Sequence, residues 1–150
     1  ISEQLATIAK YSNNEIVINE NSNEFLVYAD FDRFKQIIVN LIKNGLQYTN
    51  AGVITVDASE TNKYTQITVA DTGIGMTEEQ LTHIWDRYYK ADPSRKNTKY
   101  GESGLGLSIV KQLIELHDGE IIVESELGKG TKMIVRLPRR RKIDDLDQVK

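Results

Sequence analysis

The residues with the clearest chemical potential form a short turn, Asp71-Thr72-Gly73-Ile74-Gly75, directly after a predicted strand. A carboxylate at Asp71 can accept a hydrogen bond from an exocyclic amine, such as the one that adenine presents. Gly73 and Gly75 allow the backbone to pass close to a planar ring. The same residues also fit an ordinary turn in which Asp71 bonds the neighbouring backbone and a glycine takes a positive φ. The segment by itself leaves both interpretations open.

A second glycine-rich stretch, Gly101–Leu107, opens a predicted helix. Free N–H groups and the dipole at a helix N-terminus favour an anion such as phosphate, and the turn Gly128–Thr131 could add backbone groups nearby. The order G-x-x-G-x-G is not the dinucleotide-binding pattern G-x-G-x-x-G, and Gly128–Thr131 lacks the Gly-Lys-Ser/Thr of a P-loop. A plain glycine-rich helix entry is the alternative.

Polar residues along a third segment could hold a metal ion. The predicted helix Asp32–Tyr48 has an apolar stripe at helical spacing, with Asn40, Asn44 and Gln47 along one edge. The side-chain oxygen of Asn44 suits Mg²⁺, which takes few protein ligands and keeps phosphates and waters as the others. Gly45 costs about 1 kcal/mol relative to Ala, so we expect another segment to pack closely there. A polar helix edge facing solvent is the alternative.

The chain has 150 residues, a formal net charge of −3 and no cysteine. This length allows one domain without a disulfide or a metal, and the lack of cysteine fits a reducing compartment. The negative charge argues against a nucleic-acid partner, because phosphate binding favours a basic surface. No apolar run approaches the ~20 residues of a membrane span.

Helical and strand patterns do not alternate strictly along the chain, and the last two strands form a hairpin. This order predicts an α/β (α+β) two-layer sandwich, with a mixed, mostly antiparallel sheet of about five strands and about three helices on one face. The predicted strands are Ile16–Ile18, Phe25–Tyr28, Val53–Ala58, Gln66–Ala70, Ile121–Ser125 and Lys132–Leu137, and the predicted helices are Asp32–Tyr48, Glu78–Tyr89 and Leu105–Leu116, the last ended by Gly119.

Taken together and in this order, the segments resemble the catalytic and ATP-binding domain of bacterial sensor histidine kinases, whose fold is shared with gyrase, a heat-shock chaperone and mismatch-repair ATPases. The resemblance covers about Asp30 to Pro138. Its motifs are the N box at Asp32–Thr49, the G1 box at Asp71–Met76, the F box at Ile84–Asp92 and the G2 box at Ser103–Val110.

The resemblance implies a role for each matching residue in binding ATP and Mg²⁺. Asp71 would bind the adenine amino group, directly and through water, and Tyr48 would lie against the base or ribose. Asn44 would hold Mg²⁺, with Asn40 close to the phosphates. The full implied set is Asn40, Asn44, Gln47, Tyr48, Asp71, Gly73, Ile74, Gly75, Met76, Tyr89, Lys90, Gly101, Ser103, Gly104, Leu105, Gly106, Leu107 and Thr131 for the nucleotide, and Asn40, Asn44, Arg87 and Lys90 for catalysis.

The span from about Arg87 to Ser103 would be a flexible ATP lid. Two departures from the family's pattern bear on the phosphates: Gln47 stands where Lys is usual, and Lys90 stands where Arg is frequent. Gln47 removes a positive charge near the phosphates, and Lys90 lacks the bidentate geometry of a guanidinium. Arg87 or a lid lysine could compensate.

The reaction implied by the resemblance is transfer of the γ-phosphoryl group of ATP to a histidine on a separate dimerisation domain of the same full-length protein, with a response regulator downstream. Neither His83 nor His117 has the context of an acceptor, so both are expected to be structural. Asn40 stands where the hydrolytic relatives have a general-base Glu, which favours transfer over hydrolysis. The alternatives are a catalytically impaired nucleotide-binding module and an anti-sigma-type serine kinase of the same fold.

The same resemblance sets the expected organisation. Residues 1–10 would be a remnant of the linker from the dimerisation domain, residues 11–138 the ATP-binding domain, and residues 139–150 a mobile charged tail. Because the sequence starts at Ile1, we expect a fragment of a longer protein. The fragment would be a monomeric cytoplasmic domain, and its parent a homodimer anchored in the cell membrane.

Overall fold

The computed structural model describes residues 14–18, 31–86 and 106–138, which contain five strands and three helices. The predicted strand Phe25–Tyr28, the linker and the tail lie outside these residues. In chain order the elements are β1 (Glu15–Ile18), α1 (Phe31–Gln47), β2 (Val53–Glu60), β3 (Tyr64–Asp71), α2 (Glu78–Leu81), α3 (Gly106–Leu116), β4 (Glu120–Glu126) and β5 (Gly130–Pro138).

The strands form one sheet in the order β1-β2-β3-β5-β4. β1 pairs with β2 in parallel, and the other neighbours are antiparallel, so the predicted mixed, mostly antiparallel sheet is confirmed. The register of β3 with β5 pairs Asp71 with Thr131 across the ladder. The order of the sheet therefore brings together two candidate site residues that are distant in sequence.

The core lies between one face of this sheet and helices α1 and α3. Side chains alternate along β3, where Thr65, Ile67 and Val69 are buried, as expected for a strand with one face covered. The helices bury the apolar stripes that their spacing predicted. The core residues are Ile37, Ile38, Leu41, Ile42, Leu46, Ile54, Ile67, Val69, Val110, Leu113, Ile114, Met133, Val135 and Leu137.

Helix α2 ends earlier than the sequence suggested. Thr77 caps it with a capping box in which Gln80 N–H donates to the Thr77 hydroxyl and Thr77 N–H donates to the Gln80 side chain. The helix stops at Leu81, and the hydroxyl of Thr82 donates to the carbonyl of Glu79 at 2.6 Å. A turn follows through residues 82–85.

The end of α3 differs from the expectation that Gly119 would adopt the terminating conformation. Asp118 takes the left-handed conformation, with φ 59°, while the N–H of Gly119 donates to the carbonyl of Ile114 at 2.9 Å. Together with the bond from Asp118 N–H to Glu115, this forms a Schellman motif. Gly119 is required for a different reason, because a Cβ there would lie 2.6 Å from the carbonyl oxygen of Arg136.

The loop between α1 and β2 is held in place by Asn14, a buried side chain directly before β1. Its amide nitrogen donates to the carbonyl of Thr49 at 2.8 Å, and its oxygen accepts from the N–H of Gly52 at 2.9 Å. Ala51, between them, has a positive φ of 52°, which disfavours a residue with a Cβ. Asn14 therefore fixes a loop that local backbone preferences do not fix.

Asn14→Ala should lower the free energy of unfolding by about 1–3 kcal/mol, because one buried and one half-buried backbone group lose their partner. The matched control is Asn50→Ala, since Asn50 is an exposed asparagine of the same loop and surface substitutions usually change stability by less than about 0.5 kcal/mol. Urea denaturation of both variants measures the difference. Similar values for the two would show that Asn14 does not stabilise the loop.

Candidate functional site

Asp71, the last residue of β3, is the central charged group of the candidate site. Its Oδ1 accepts hydrogen bonds from the N–H of Gly73 at 2.9 Å and of Thr131 at 3.2 Å. Its Oδ2 takes part in neither bond and faces Gly45 of α1, where a Cβ would lie 3.5 Å from it. The close packing that the sequence suggested at Gly45 is therefore present, and it comes from Asp71 and Ile54.

Burial raises the pKa of the Asp71 carboxyl above its ordinary value, and the hydrogen bonds from Gly73 and Thr131 act in the opposite direction. The hydroxyl of Thr49 lies close enough to lower the pKa of Asp71 as well. Within the described residues, however, this buried hydroxyl has no hydrogen bond of normal geometry. A buried polar atom without a partner usually marks a place for a water or a ligand.

The turn that follows Asp71 is held by backbone hydrogen bonds on two sides. The N–H of Ile74 donates to the carbonyl of Tyr48 at 3.1 Å, and the carbonyl of Ile74 accepts from the N–H of Gly128 at 2.7 Å. Gly75 has a φ of 70°, and a Cβ there would collide with the carbonyl oxygen of Glu126. The turn is thus held between the end of α1 and the β4–β5 hairpin.

A cavity of about 40 Å³ opens beside this turn. One part of its wall is polar, with a carboxylate, an amide and a hydroxyl, and the rest is apolar. This combination is typical of small-molecule sites, in which a few polar groups orient a ligand against apolar surface. The lining residues are Asn44, Tyr48, Asp71, Gly75, Met76, Ile84, Leu107 and Thr131.

The structure brings together most, but not all, of the predicted site residues that it describes. All the cavity-lining residues except Ile84 were predicted from the sequence. Asn40 and Gln47 lie on α1, Gly73 and Ile74 in the turn, and Gly106 at the start of α3, without lining the cavity. The remaining predicted residues lie outside the described part of the chain: Arg87, Tyr89, Lys90, Gly101, Ser103, Gly104 and Leu105.

Sequence reasoning missed three residues of the site. Ile84 supplies part of the apolar wall, and the Thr49 hydroxyl lies beside Asp71. Ser125 accepts from the N–H of Met76 at 2.8 Å and so holds the turn against β4. Ile84 and Thr49 stood at the ends of recognised motifs, the F box and the N box, but neither was singled out, and Ser125 lies outside the four boxes.

The two histidines lie in local contacts. His83 Nδ1 is 3.0 Å from a carboxylate oxygen of Asp86, and His117 Nδ1 is 2.6 Å from the carbonyl oxygen of Leu113. Because a carbonyl only accepts, His117 carries a proton on Nδ1. In the described ranges, no group of three or more His, Asp or Glu side chains could hold a metal ion, and no helix there is long and apolar enough to cross a membrane.

Residues 29–141 match the family described as histidine kinase-, DNA gyrase B- and HSP90-like ATPases. The match spans most of the chain, so this chain belongs to that family. The resemblance found in its sequence motifs is confirmed.

Two curated relatives are sensor proteins of bacteria. Sensor histidine kinase YclK of Bacillus subtilis (strain 168) is 50% identical over 138 residues, which cover 92% of this chain and 29% of that protein. Sensor protein SrrB of Staphylococcus aureus (strain NCTC 8325 / PS 47) is 45% identical over 113 residues, which cover 73% of this chain and 19% of that protein. The chain therefore spans less than a third of the length of either relative.

Solved structures show the same fold. The catalytic domain of histidine kinase ThkA, in a nucleotide-free form, has a TM-score of 0.75 at 27% identity, covering 91% of this chain and 86% of that one. Full-length ShkA in complex with AMPPNP has a TM-score of 0.77 at 28% identity, covering 91% of this chain and 28% of that one. The predicted α/β sandwich of histidine kinase catalytic domains is confirmed.

The raised pKa of Asp71 predicts that Asp71→Asn stabilises the unliganded protein at neutral pH. A carboxyl whose pKa is raised by folding stabilises the folded state fully below its ordinary pKa of 3.8. This stabilisation is lost as the pH rises through the folded-state pKa. The asparagine oxygen can still accept both backbone hydrogen bonds without a buried charge.

Urea denaturation at a series of pH values tests this expectation. As the pH rises above 3.8, the free energy of unfolding of the Asp71→Asn variant should increase relative to that of the unsubstituted protein. The difference between the two should become constant above the folded-state pKa. A parallel pH dependence for the two proteins would contradict a raised pKa at Asp71.

Gly75→Ala should destabilise the fold by about 1–3 kcal/mol or more, because it adds a positive-φ penalty to a collision with the backbone of Glu126. Gly106→Ala is the matched control, since a Cβ there meets nothing within 4 Å among the residues that the structure describes. Thermal unfolding followed by circular dichroism measures both. If the two variants unfold at similar temperatures, the turn does not depend on Gly75.

Proposed function

We propose that this chain is the ATP-binding catalytic domain of a sensor histidine kinase, which transfers the γ-phosphoryl group of ATP to a histidine on a separate dimerisation domain in two-component signalling. The observation that carries the proposal is the cavity beside Asp71, in a chain of this family. Its wall combines the half-buried carboxylate of Asp71, the Asn44 amide and apolar side chains from three separate segments. The names of the relatives, a sensor histidine kinase and a sensor protein, support the same activity.

The polar and apolar walls suit an adenine base. Oδ1 of Asp71 is engaged by two backbone N–H groups, and Oδ2 is left to accept from an exocyclic amine. The unpartnered hydroxyl of Thr49 could hold a water beside that carboxylate. Met76, Ile84 and Leu107 offer apolar surface to the faces of a planar ring. The neutral adenine base of ATP, with its exocyclic amine, fits these groups better than a purely apolar ligand would.

Asn44 fits the part of a Mg²⁺ ligand, since a single neutral oxygen leaves the remaining positions to phosphates and waters. Bound Mg²⁺ would neutralise charge on the phosphates, which is the main requirement of phosphoryl transfer. Asn40, one helical turn earlier on α1, has an amide that cannot take a proton from water. This favours transfer to a histidine over hydrolysis. Arg87, Lys90 and the lid keep the phosphate-binding roles that the resemblance implies.

The acceptor histidine would belong to the dimerisation domain of the same full-length protein, since His83 and His117 lie in the local contacts described above. Residues 11–138 would form the catalytic domain, with residues 1–10 as linker and residues 139–150 as a tail. The parent protein would be a membrane-anchored homodimer with this domain in the cytoplasm. A response regulator would then receive the phosphoryl group.

Asp71→Asn should weaken ADP binding by about 10- to 100-fold, the range expected for a hydrogen bond to a charged acceptor. Asp57→Asn, which changes an exposed carboxylate on β2, is the matched control and should bind as the unsubstituted protein does. Isothermal titration calorimetry with and without Mg²⁺ measures both affinities. If Asp71→Asn bound ADP normally, the adenine assignment would be wrong.

Reconstitution with the histidine-containing dimerisation domain and γ-labelled ATP tests the reaction. Asn44→Ala should reduce transfer at least about a hundredfold, because metal neutralisation contributes several kcal/mol, while Asn50→Ala should leave the rate unchanged. The label should be acid-labile, as expected for phosphohistidine. Acid-stable label would indicate a serine kinase, and binding without transfer would indicate an impaired nucleotide-binding module.

A further inference from the structure

Ser125 on β4 makes three polar contacts at the edge of the cavity. Its Oγ accepts from the N–H of Met76 at 2.8 Å, donates to the carbonyl of Gly130 at 3.0 Å, and lies 2.8 Å from the hydroxyl oxygen of Thr131. Either hydroxyl could be the donor in the third contact on distance alone. The direction of that bond decides what Thr131 offers to the cavity.

Counting hydrogens settles the direction. Ser125 has one hydroxyl hydrogen, and the carbonyl of Gly130 can only accept. If Ser125 donated to Thr131, no hydrogen would lie between the hydroxyl oxygen of Ser125 and the carbonyl oxygen of Gly130, which are 3.0 Å apart. If Ser125 donates to Gly130, its lone pairs accept from Met76 N–H and from the Thr131 hydroxyl, and all three contacts are hydrogen bonds.

We infer that Ser125 is a specificity-determining residue that fixes the Thr131 hydroxyl as an acceptor toward the cavity. Thr131 lines the cavity, and in the described residues its hydroxyl has Ser125 as hydrogen-bond partner. Since the Thr131 hydrogen points to Ser125, only lone pairs remain for a ligand. Asp71 and Thr131 then each present an acceptor to the cavity, Oδ2 and Oγ1, and Thr131 presents no hydroxyl donor.

This inference rests on the proposed function and adds a chemical preference to it. The 6-amino group of adenine has two N–H donors, which match two acceptors. The 6-oxo group of hypoxanthine or guanine would face the same lone pairs and gain no hydrogen bond from Asp71 or Thr131. Without Ser125, the Thr131 hydroxyl can rotate and donate to an oxygen, so the selection against 6-oxopurines should relax.

The experiment compares the affinities of ADP and inosine diphosphate, which differ at the 6-position of the base. Ser125→Ala should lower the preference for ADP by about three- to tenfold, the effect of one neutral hydrogen bond. Ser125→Thr, which keeps a hydroxyl, should retain more of the preference than Ser125→Ala. Circular dichroism confirms that each variant is folded before titration. If Ser125→Ala does not fold, Ser125→Cys replaces it, because a thiol is a weak donor and acceptor.

A double-mutant cycle tests whether Ser125 acts through Thr131. In a Thr131→Val background there is no hydroxyl to orient, so adding Ser125→Ala should leave the ADP preference unchanged. The inference would be overturned if Ser125→Ala alone left the preference for ADP unchanged. It would also be overturned if Ser125→Ala changed that preference equally in the unsubstituted protein and in the Thr131→Val variant. If the unsubstituted protein bound neither nucleotide, the proposed function itself would fail, which separates the two outcomes.

Discussion

The half-buried carboxylate of Asp71 is the constraint on which the site depends. Removing the Asp71 charge from water is costly, and its raised pKa reflects that cost. The compensating donors are the backbone N–H groups of Gly73 and Thr131, which come from the next turn and from β5. The carboxylate is held only when the turn and the β3–β5 ladder are both in place, so the site and the sheet are assembled together.

The surrounding segments are arranged to approach this carboxylate closely. Helix α1 brings Gly45 against it, where even a methyl group would be tightly packed. The loop after α1 places the Thr49 hydroxyl beside it, and Asn14 fixes that loop through two backbone hydrogen bonds. Ser125 fastens the turn from the opposite side. The segments around Asp71 are thus held in place largely by hydrogen bonds to their backbone.

One hydrogen-bonding group in these segments has no protein partner within the described part of the chain. The buried Thr49 hydroxyl makes no hydrogen bond of normal geometry there, at a cost in stability. Such groups commonly mark functional sites, where a ligand completes the hydrogen bonding. In the proposed function, the adenine base and its water would do so. The arrangement favours affinity for a ligand over the stability of the unliganded protein.

Much of the fold could be predicted from the sequence. The apolar spacing of α1 and α3 and the alternation along β3 are local patterns, and the structure has these elements within one or two residues of the predicted bounds. Asp71, Asn44 and Thr131 were identified as candidates, and they line one cavity. The errors lie at element ends, as at α2, where hydrogen bonds of single side chains decide the last turn.

The sequence by itself determined most of the elements, the family and the candidate site residues, because helical periodicity, strand alternation and motif order are encoded in neighbouring residues. Only the tertiary structure decided how the groups act on one another. The bond from Thr131 to Asp71 spans 60 positions and depends on the β3–β5 register. The bond from Met76 to Ser125 spans 49 positions and depends on the hairpin. Contacts of this kind follow from strand order and packing, which no local pattern specifies.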